Sequence, residues 1–408
     1  MVTIGRIPAE LKRFFAPLGD RFTKPAWRHF WGLVLALTVG HGATLERLAR
    51  LLRTGSHRTG HGEFLWRSVW DEAGVLRQMA LDTLKRLYRK RGGPCFFIID
   101  ETQVLKRARR MDAVGKLFHH ATGRYGYGHT ILKVSLWYRG VIIPWGSCLY
   151  VKQDAAKRLK VPFRKLTDLA AEAIREADLP ARLRVIVLFD AYYLCGKVVK
   201  ACRARGWRFV GVGRGNRVFT IHGQRKRLDA YGRNVLRRSG RWCRVRGLSR
   251  ESLYRLAARV GHLRRVGRVK VVFSRRRGQR GALALVTDDV GLGMERIVAQ
   301  YLKRWAIEVL IKDQKQHLGL GAYRVRRYRA VVRHLHLVDC AYACLTHLAL
   351  KQPGAQGHRA KRNVLRLPPV SHRKALMRQV LWQEALNEVA RYAHDKRVLR
   401  RLEKLLAA

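Results

Sequence analysis

Two aspartates and one helical stripe carry the side chains from which metal-assisted chemistry could be built. Asp100 closes the apolar run Cys95–Asp100 (CFFIID), and Asp190 closes Arg184–Asp190 (RVIVLFD). In parallel α/β sheets, reactive groups collect at the carboxyl ends of strands. An acid there borders a low-dielectric core, where ionisation is costly unless a cation compensates. Either aspartate alone is ordinarily a cap on the next turn; two such strands in one short domain could bring both carboxylates onto one ion. The third element is the helix-patterned stretch Met294–His317. Winding from Tyr301 at about 100° per residue puts Arg304 at about 300°, Lys315 at about 320° and Glu308 at about 340°. Phenol, guanidinium, ammonium and carboxylate thus form one stripe, and Ala306, Ile307, Leu310 and Ile311 face the other way. A solvated polar face is the commoner fate of such a stripe, so its spacing does not decide the matter.

Other candidates have blander readings. Glu101 adjoins Asp100 and must point to the opposite side of the strand. Asp288 and Asp289 follow a strand-like run just ahead of a helix, where turn or N-cap duty is expected. His119 and His120 lie in a loop containing Gly and Arg, a setting suited to phosphate contact rather than metal ligation. Arg275–Arg277 reads as a solvated hairpin tip that can touch nucleic acid. Cys340 and Cys344 lie four apart on a helix with His347 nearby, but a zinc site would need further ligands. The seven cysteines include no C-x-x-C pair, which points to reduced, mostly buried residues of a cytosolic protein.

The elements that must position these residues belong to a long and very basic chain. At 408 residues it suggests two or three structural units, and at 48% hydrophobic residues it is folded. Lys and Arg total 85 against 28 Asp and Glu, a formal net charge of +57. So much like charge repels itself and calls for a polyanionic partner. Nucleic acid leads, because each neutralised phosphate also releases counterions. A membrane surface or a coding bias towards Arg are the alternatives; the bias does not account for the scarcity of acids. Spanning a bilayer takes about 20 apolar residues, and the run around Trp31–Val39 falls short. The N-terminus has no cleavable signal pattern.

Along the chain, residues 1–92 read as a helical, DNA-binding N-terminal region. Helical spacing covers Arg28–Leu52 and Gly74–Lys90, split by a Gly/His-rich break at Gly55–Gly62. Ala43–Leu52 suits a small DNA-binding module or plain helix packing equally. Residues 93–213 carry strand signals at Cys95–Asp100, Thr130–Tyr138, Val141–Tyr150, Arg184–Asp190 and Arg208–Gly213. A hairpin is expected at Arg139–Gly140, and helices at Phe163–Ala177 and Gly196–Arg205. Apolar strands next to helices imply an α/β sheet buried on both faces. Residues 214–281 form a basic, β-rich insertion with Tyr231 and Trp242 among its cations, and its last strand pairs with Ala282–Thr287 across the SRRRGQRG turn. Residues 282–350 hold the Met294–His317 helix and a second one at about Ala330–Leu350. Residues 351–408 comprise a linker, Pro353–Arg366, and a basic amphipathic tail, Ser371–Leu406.

Tyr301-x-x-Arg304-x-x-x-Glu308-x-x-x-x-x-x-Lys315 resembles, without a gap, the Y-(2)-R-(3)-E-(6)-K signature of one large group of DDE transposases from bacterial insertion sequences. Its place downstream of two strand-terminal aspartates adds to the likeness. The element order over residues 93–350 is similar to the family's ribonuclease-H-like fold: a mixed α/β sheet with flanking helices and a β insertion before the glutamate helix. The resemblance implies that Asp100, Asp190 and Glu308 are the catalytic acids. They would hold two Mg²⁺ ions, with Mn²⁺ able to substitute, about 3.5–4 Å apart. Arg304 and Lys315 would bind phosphates and Tyr301 the terminal nucleotides. Some members stack a flipped base on an aromatic of the insertion; Trp242 is the candidate, with Trp207, Trp305 and Tyr231 as rivals. The implied activity is cut-and-paste transposition. The protein would bind inverted-repeat ends, cleave phosphodiesters there and join the 3′-hydroxyls to target DNA. It would act as a dimer or higher oligomer on paired ends, in the bacterial cytoplasm at the nucleoid. A ribonuclease-H-like nuclease that never joins, and an inactive relative that only binds DNA, are the alternatives.

Overall fold

The computed structural model describes residues 4–391 apart from 41, 43, 54–56, 91, 109, 120–121, 248–250 and 353–363. His120, most of the expected linker and the end of the expected tail therefore lie outside the described residues. Five helices come first: α1 (Ala9–Phe15), α2 (Lys24–Val39), α3 (Leu45–Ala49), α4 (Arg58–Trp66) and α5 (Glu72–Leu87). α5 shows why such segments wind. Asp71 caps it by accepting from the Gly74 N–H at 2.8 Å, Lys85 and Arg86 meet the carboxyl end of its dipole, and Val75, Leu76, Met79, Ala80 and Leu84 line one buried stripe. α4 corrects the expected break at Gly55–Gly62, because the helix begins inside it. Burial of His61, Phe64 and Leu65 outweighs the poor helix propensity of Gly60 and Gly62.

The middle of the chain builds a mixed sheet of twelve strands. They are β1 (Cys95–Leu105), β2 (Gly115–His119), β3 (Arg124–Tyr138), β4 (Val141–Tyr150), β5 (Val185–Phe189), β6 (Arg208–Gly213), β7 (Val218–Ile221), β8 (Gln224–Arg227), β9 (Arg241–Arg246), β10 (Glu251–Leu263), β11 (Gly267–Arg276) and β12 (Leu283–Thr287). Between them lie α6 (Gln153–Leu159), α7 (Leu166–Arg175), α8 (Gly196–Ala204) and α9 (Leu228–Ser239). The sheet runs β2-β3-β1-β5-β6-β12-β11-β10-β7-β8, with β4 on β3 and β9 on β10. β1–β5 and β5–β6 are parallel, and the other pairs are antiparallel. The expected hairpin at Arg139–Gly140 is present; both residues take positive φ (50° and 90°), as a two-residue turn of that hand requires. So is the pairing of β11 with β12 across the SRRRGQRG turn.

Three expectations change. β3 begins at Arg124 rather than Thr130, and β2 pairs with its new start. Alternating Gly126 and Gly128 hid this strand. β1 presses so close here that a Cβ on Gly128 would sit 2.3 Å from the Val104 carbonyl oxygen. The insertion contains a helix, α9, and its strands extend the same sheet. The expected single helix Met294–His317 is two, α10 (Met294–Tyr301) and α11 (Trp305–His317), joined by a tight 3₁₀ turn at Leu302–Arg304.

Two apolar cores flank the sheet. Phe96 and Ile98 face one that includes α11, the N-terminal helices and the long α12 (Tyr328–Lys351). Phe97 and Ile99 face the other, which includes α7 and α8. α12 is buried nearly all round, and each fully buried leucine such as Leu337 contributes about 1.5–3 kcal/mol. α13 (Val370–Arg391) lays Val370, Met377 and Leu381 into the first core, so this part of the expected tail is an integral helix. The architecture is the mixed α/β sheet with flanking helices that the sequence implied, consistent with a ribonuclease-H-like fold.

Candidate active site

β1 does not stop at Asp100. It runs five residues further along β3, where Asp100 pairs with Lys133. What ends is the parallel partner: the β1–β5 ladder closes at Ile98↔Leu188. Asp100 and Asp190 each lie two residues past that pair, on the same face, where the two strands part. Asp190 Oδ1 accepts from the Tyr192 N–H at 2.9 Å, which fixes the turn that follows β5.

The polar stripe of α10 and α11 reaches this point. Arg304 Nη1 donates to Asp100 Oδ2 at 2.6 Å, and Arg304 Nη2 donates to Glu308 Oε1. One guanidinium therefore ties the β1 acid to the helix acid, and its carbon lies 5.9 Å from the Tyr301 ring centroid. Lys315 turns the other way along β1 and donates to the Gln103 carbonyl at 2.9 Å. Sequence arithmetic assumed a continuous helix; the 3₁₀ turn alters the winding, yet Tyr301, Arg304 and Glu308 still share one face.

The electrostatics are those of acids crowded at a dry rim. Burial pushes the Asp100 carboxyl up to about 7; Arg304 opposes this, and the charges of Glu101, Asp190 and Glu308 add to it. Burial also raises Glu101, against the pull of a hydrogen bond from the Tyr193 hydroxyl to its Oε2 at 2.5 Å. That bond puts Glu101 on the far side of β1, facing the second core. Burial pulls Arg304 down, but Tyr301, Asp100 and Glu308 outweigh it and hold the guanidinium above its ordinary value. Burial raises the Tyr301 hydroxyl and lowers the Lys315 ammonium. Among the described residues, no three His, Cys, Asp or Glu side chains stand close enough to hold one ion as placed. Arg304 stands between two of the acids and serves as their counter-cation. Hard carboxylate oxygens with a desolvated member are a donor set that suits a divalent ion such as Mg²⁺.

A buried polar network, missed by the sequence reading, holds α11 against the sheet. Lys133 Nζ donates to Asp339 Oδ1 at 2.5 Å and to Ser147 Oγ at 2.6 Å. Ser147 donates to Asp339 Oδ2 at 2.5 Å, and Gln314, next to Lys315, donates to Asp339 Oδ1 at 2.7 Å. Lys133 and Asp339 are wholly buried. The signal was present in the sequence as a lone lysine in an apolar strand and a lone acid in an apolar helix.

The remaining candidates separate. Trp242 is half-exposed on β9, whose Arg241 and Cys243 contact Glu295 at the start of α10. Trp305 is exposed beside Arg304. Trp207 packs on Phe97, and Tyr231 on Phe219 and Phe273, as core residues. Asp288 accepts from the Phe209 N–H at 3.2 Å and tethers β12 to β6; the N-cap of α10 is Gly293. His119 bonds Thr122 within its own loop. Cys340 and Cys344 are fully buried, with burial holding both thiols protonated, and His347 stacks on Phe14.

A mixed α/β sheet carries Asp100 and Asp190 just past the end of its parallel β1–β5 ladder, and Arg304 ties Asp100 to Glu308 on the helix packed against it. The family model described as DDE superfamily endonuclease matches residues 21–277, more than half of the chain, and the chain belongs to that family. The match includes Asp100 and Asp190 and ends before the helix of Glu308. No curated protein matches the chain. Membership implies an enzyme that cleaves phosphodiester bonds in DNA, in a superfamily that generally uses divalent metal ions. No helix among the described residues is long and apolar enough to cross a membrane.

Proposed function

We propose that this protein is a DNA transposase of the Y-(2)-R-(3)-E-(6)-K group. It binds the inverted-repeat ends of its element, cleaves there and joins the freed 3′-hydroxyls to target DNA, as a dimer or higher oligomer on paired ends. The observation that supports the reading is that Asp100 and Asp190 lie just past the end of the β1–β5 ladder while Arg304 ties Asp100 to Glu308. Asp100, Asp190 and Glu308 would hold two Mg²⁺ ions, or Mn²⁺ in their place. When bound, these supply Lewis acidity to the attacking and leaving oxygens.

The chain's own side chains do the rest. Arg304 presents a planar fork suited to two phosphate oxygens, and Lys315 a point charge along β1. Tyr301 gives an aromatic face with a polar tip to the terminal nucleotide. Trp242, exposed among cations of the insertion, is a DNA contact. The test is cleavage of end DNA with and without Mg²⁺ by wild type and Glu308→Ala, followed by strand transfer with precut ends. Full activity of the variant would refute the site, and cleavage without joined product would leave a nuclease.

A further inference from the structure

We infer that the β2–β3 hairpin is a DNA-binding arm that grips duplex roughly six to eight base pairs from the reacting end. This rests on the active-site reading above and adds where the DNA runs. The side chains of β3 at Tyr125 and Tyr127 share a face with Lys133, the cross-strand partner of Asp100, because side chains alternate along a strand. Across the hairpin, Phe118 pairs with Tyr125 and Lys116 with Tyr127, so all four lie on that face. Burial ends abruptly along it. His129 is covered by Tyr323, whose hydroxyl lies 2.6 Å from its Nδ1, whereas Tyr127, Phe118 and Tyr125 are 38%, 40% and 71% exposed. Lys116 lies 5.2 Å from the Tyr125 ring centroid, and the Phe118 and Tyr125 rings meet edge-on at 5.3 Å.

Three exposed aromatics on a projecting hairpin would be a liability without a partner. The local charge specifies one. From Leu105 to Gly128 the only acid in the sequence is Asp112, which is turned inward to accept from the Tyr328 N–H. Arg107, Arg110, Lys116 and Arg124 are exposed around it. A second copy of this basic chain would be repelled; a polyanionic duplex, whose phosphates take the cations and whose sugars and groove edges take the aromatic rings, fits both features. Lys315, bonded to Gln103, stands between the acids and the arm and continues the track. An antiparallel strand rises about 3.4 Å per residue, the same as duplex DNA per base pair. Tyr127 and Tyr125 lie six and eight residues along β3 from Lys133, which sets the spacing in base pairs.

The test uses the full chain and a blunt duplex of arbitrary sequence, about two helical turns long, with free 3′-hydroxyls. Single 5-iodouracils are placed at successive positions from the end and irradiated. The hairpin peptide is expected to be labelled at Tyr125 or Phe118, with a maximum roughly six to eight base pairs in, and the α11 peptide at the end itself. Lys116→Ala with Arg124→Ala, both exposed, is expected to reduce the slope of log K against log salt by about two. A labelled α11 peptide with an unlabelled hairpin, or an unchanged slope, overturns the arm alone. Labelling of neither peptide overturns the arm together with the site on which it rests.

Discussion

Asp100 and Asp190 stand abreast, each two residues beyond Ile98 and Leu188, the last pair of the parallel β1–β5 ladder. The two carboxylates therefore lie just past the end of the ladder, where the charge of Asp190 is felt at Asp100. If both hold the same ion, Asp100→Asn and Asp190→Asn should each lower end cleavage by about a hundred- to a thousandfold, the scale of losing one member of a charge-stabilising set. DNA binding without divalent ion should be unchanged or stronger, since each removes a negative charge near phosphate. Gel-shift and cleavage measured on the same preparations check this; equal loss of binding and cleavage would mean a folding defect.

Arg304 compensates two acids at once, and its removal should be felt in the folded state. Arg304→Gln should cost about 1–3 kcal/mol in metal-free buffer, because Asp100 and Glu308 lose a charged partner in a partly dry site. Mg²⁺ should then raise Tm by more in the variant than in wild type, since an ion supplies the missing positive charge. An equal Mg²⁺ shift in both proteins, read by thermal denaturation, would contradict the counter-cation role.

The Lys133–Asp339 pair makes a sharper stability prediction. Lys133→Ala should destabilise by about 3–5 kcal/mol, because it strands a buried carboxylate. Lys133→Met combined with Asp339→Leu should recover much of that loss, since a buried pair replaced by apolar side chains of similar volume is often tolerated. Denaturant midpoints of the three variants test the pair. Cleavage by the double variant further tests whether Gln314, which then loses its acceptor, is needed to seat α11.

Acid should loosen the N-terminal helices through His61. Its Nδ1 lies 2.9 Å from that of His29, and burial, with the charge of His29 adding, lowers it to about 4. The folded state thus resists a proton that the unfolded chain accepts at about 6.5. Stability from this residue is complete above that value and declines as pH falls from about 6.5 towards 4, by a total on the order of 3 kcal/mol. His61→Phe should flatten the pH dependence over that window in thermal melts. An unaltered profile would assign the acid sensitivity elsewhere.

Much of the architecture was legible in the chain itself. Continuous apolar runs mark buried strands wherever helices cover both faces, and CFFIID and RVIVLFD carry that pattern on their surface. A charge of +57 demands a polyanion whatever the fold. The helix spacing by itself puts Tyr301, Arg304 and Glu308 on one side. The strand register between β1 and β5 was not legible, since pairing is a long-range property and no local residue encodes it. The hairpin arm was hidden because Gly126 and Gly128 answer to a neighbouring strand rather than to their own propensity. α4 was hidden because burial of Phe64 and Leu65 overrode two glycines. The sequence determined which residue types are available and where the chain alternates strand with helix. The tertiary structure alone decided that Asp100 lies alongside Asp190, that Arg304 reaches Asp100, and that Lys133 finds Asp339. Those contacts join residues far apart in the chain, and only packing brings them together.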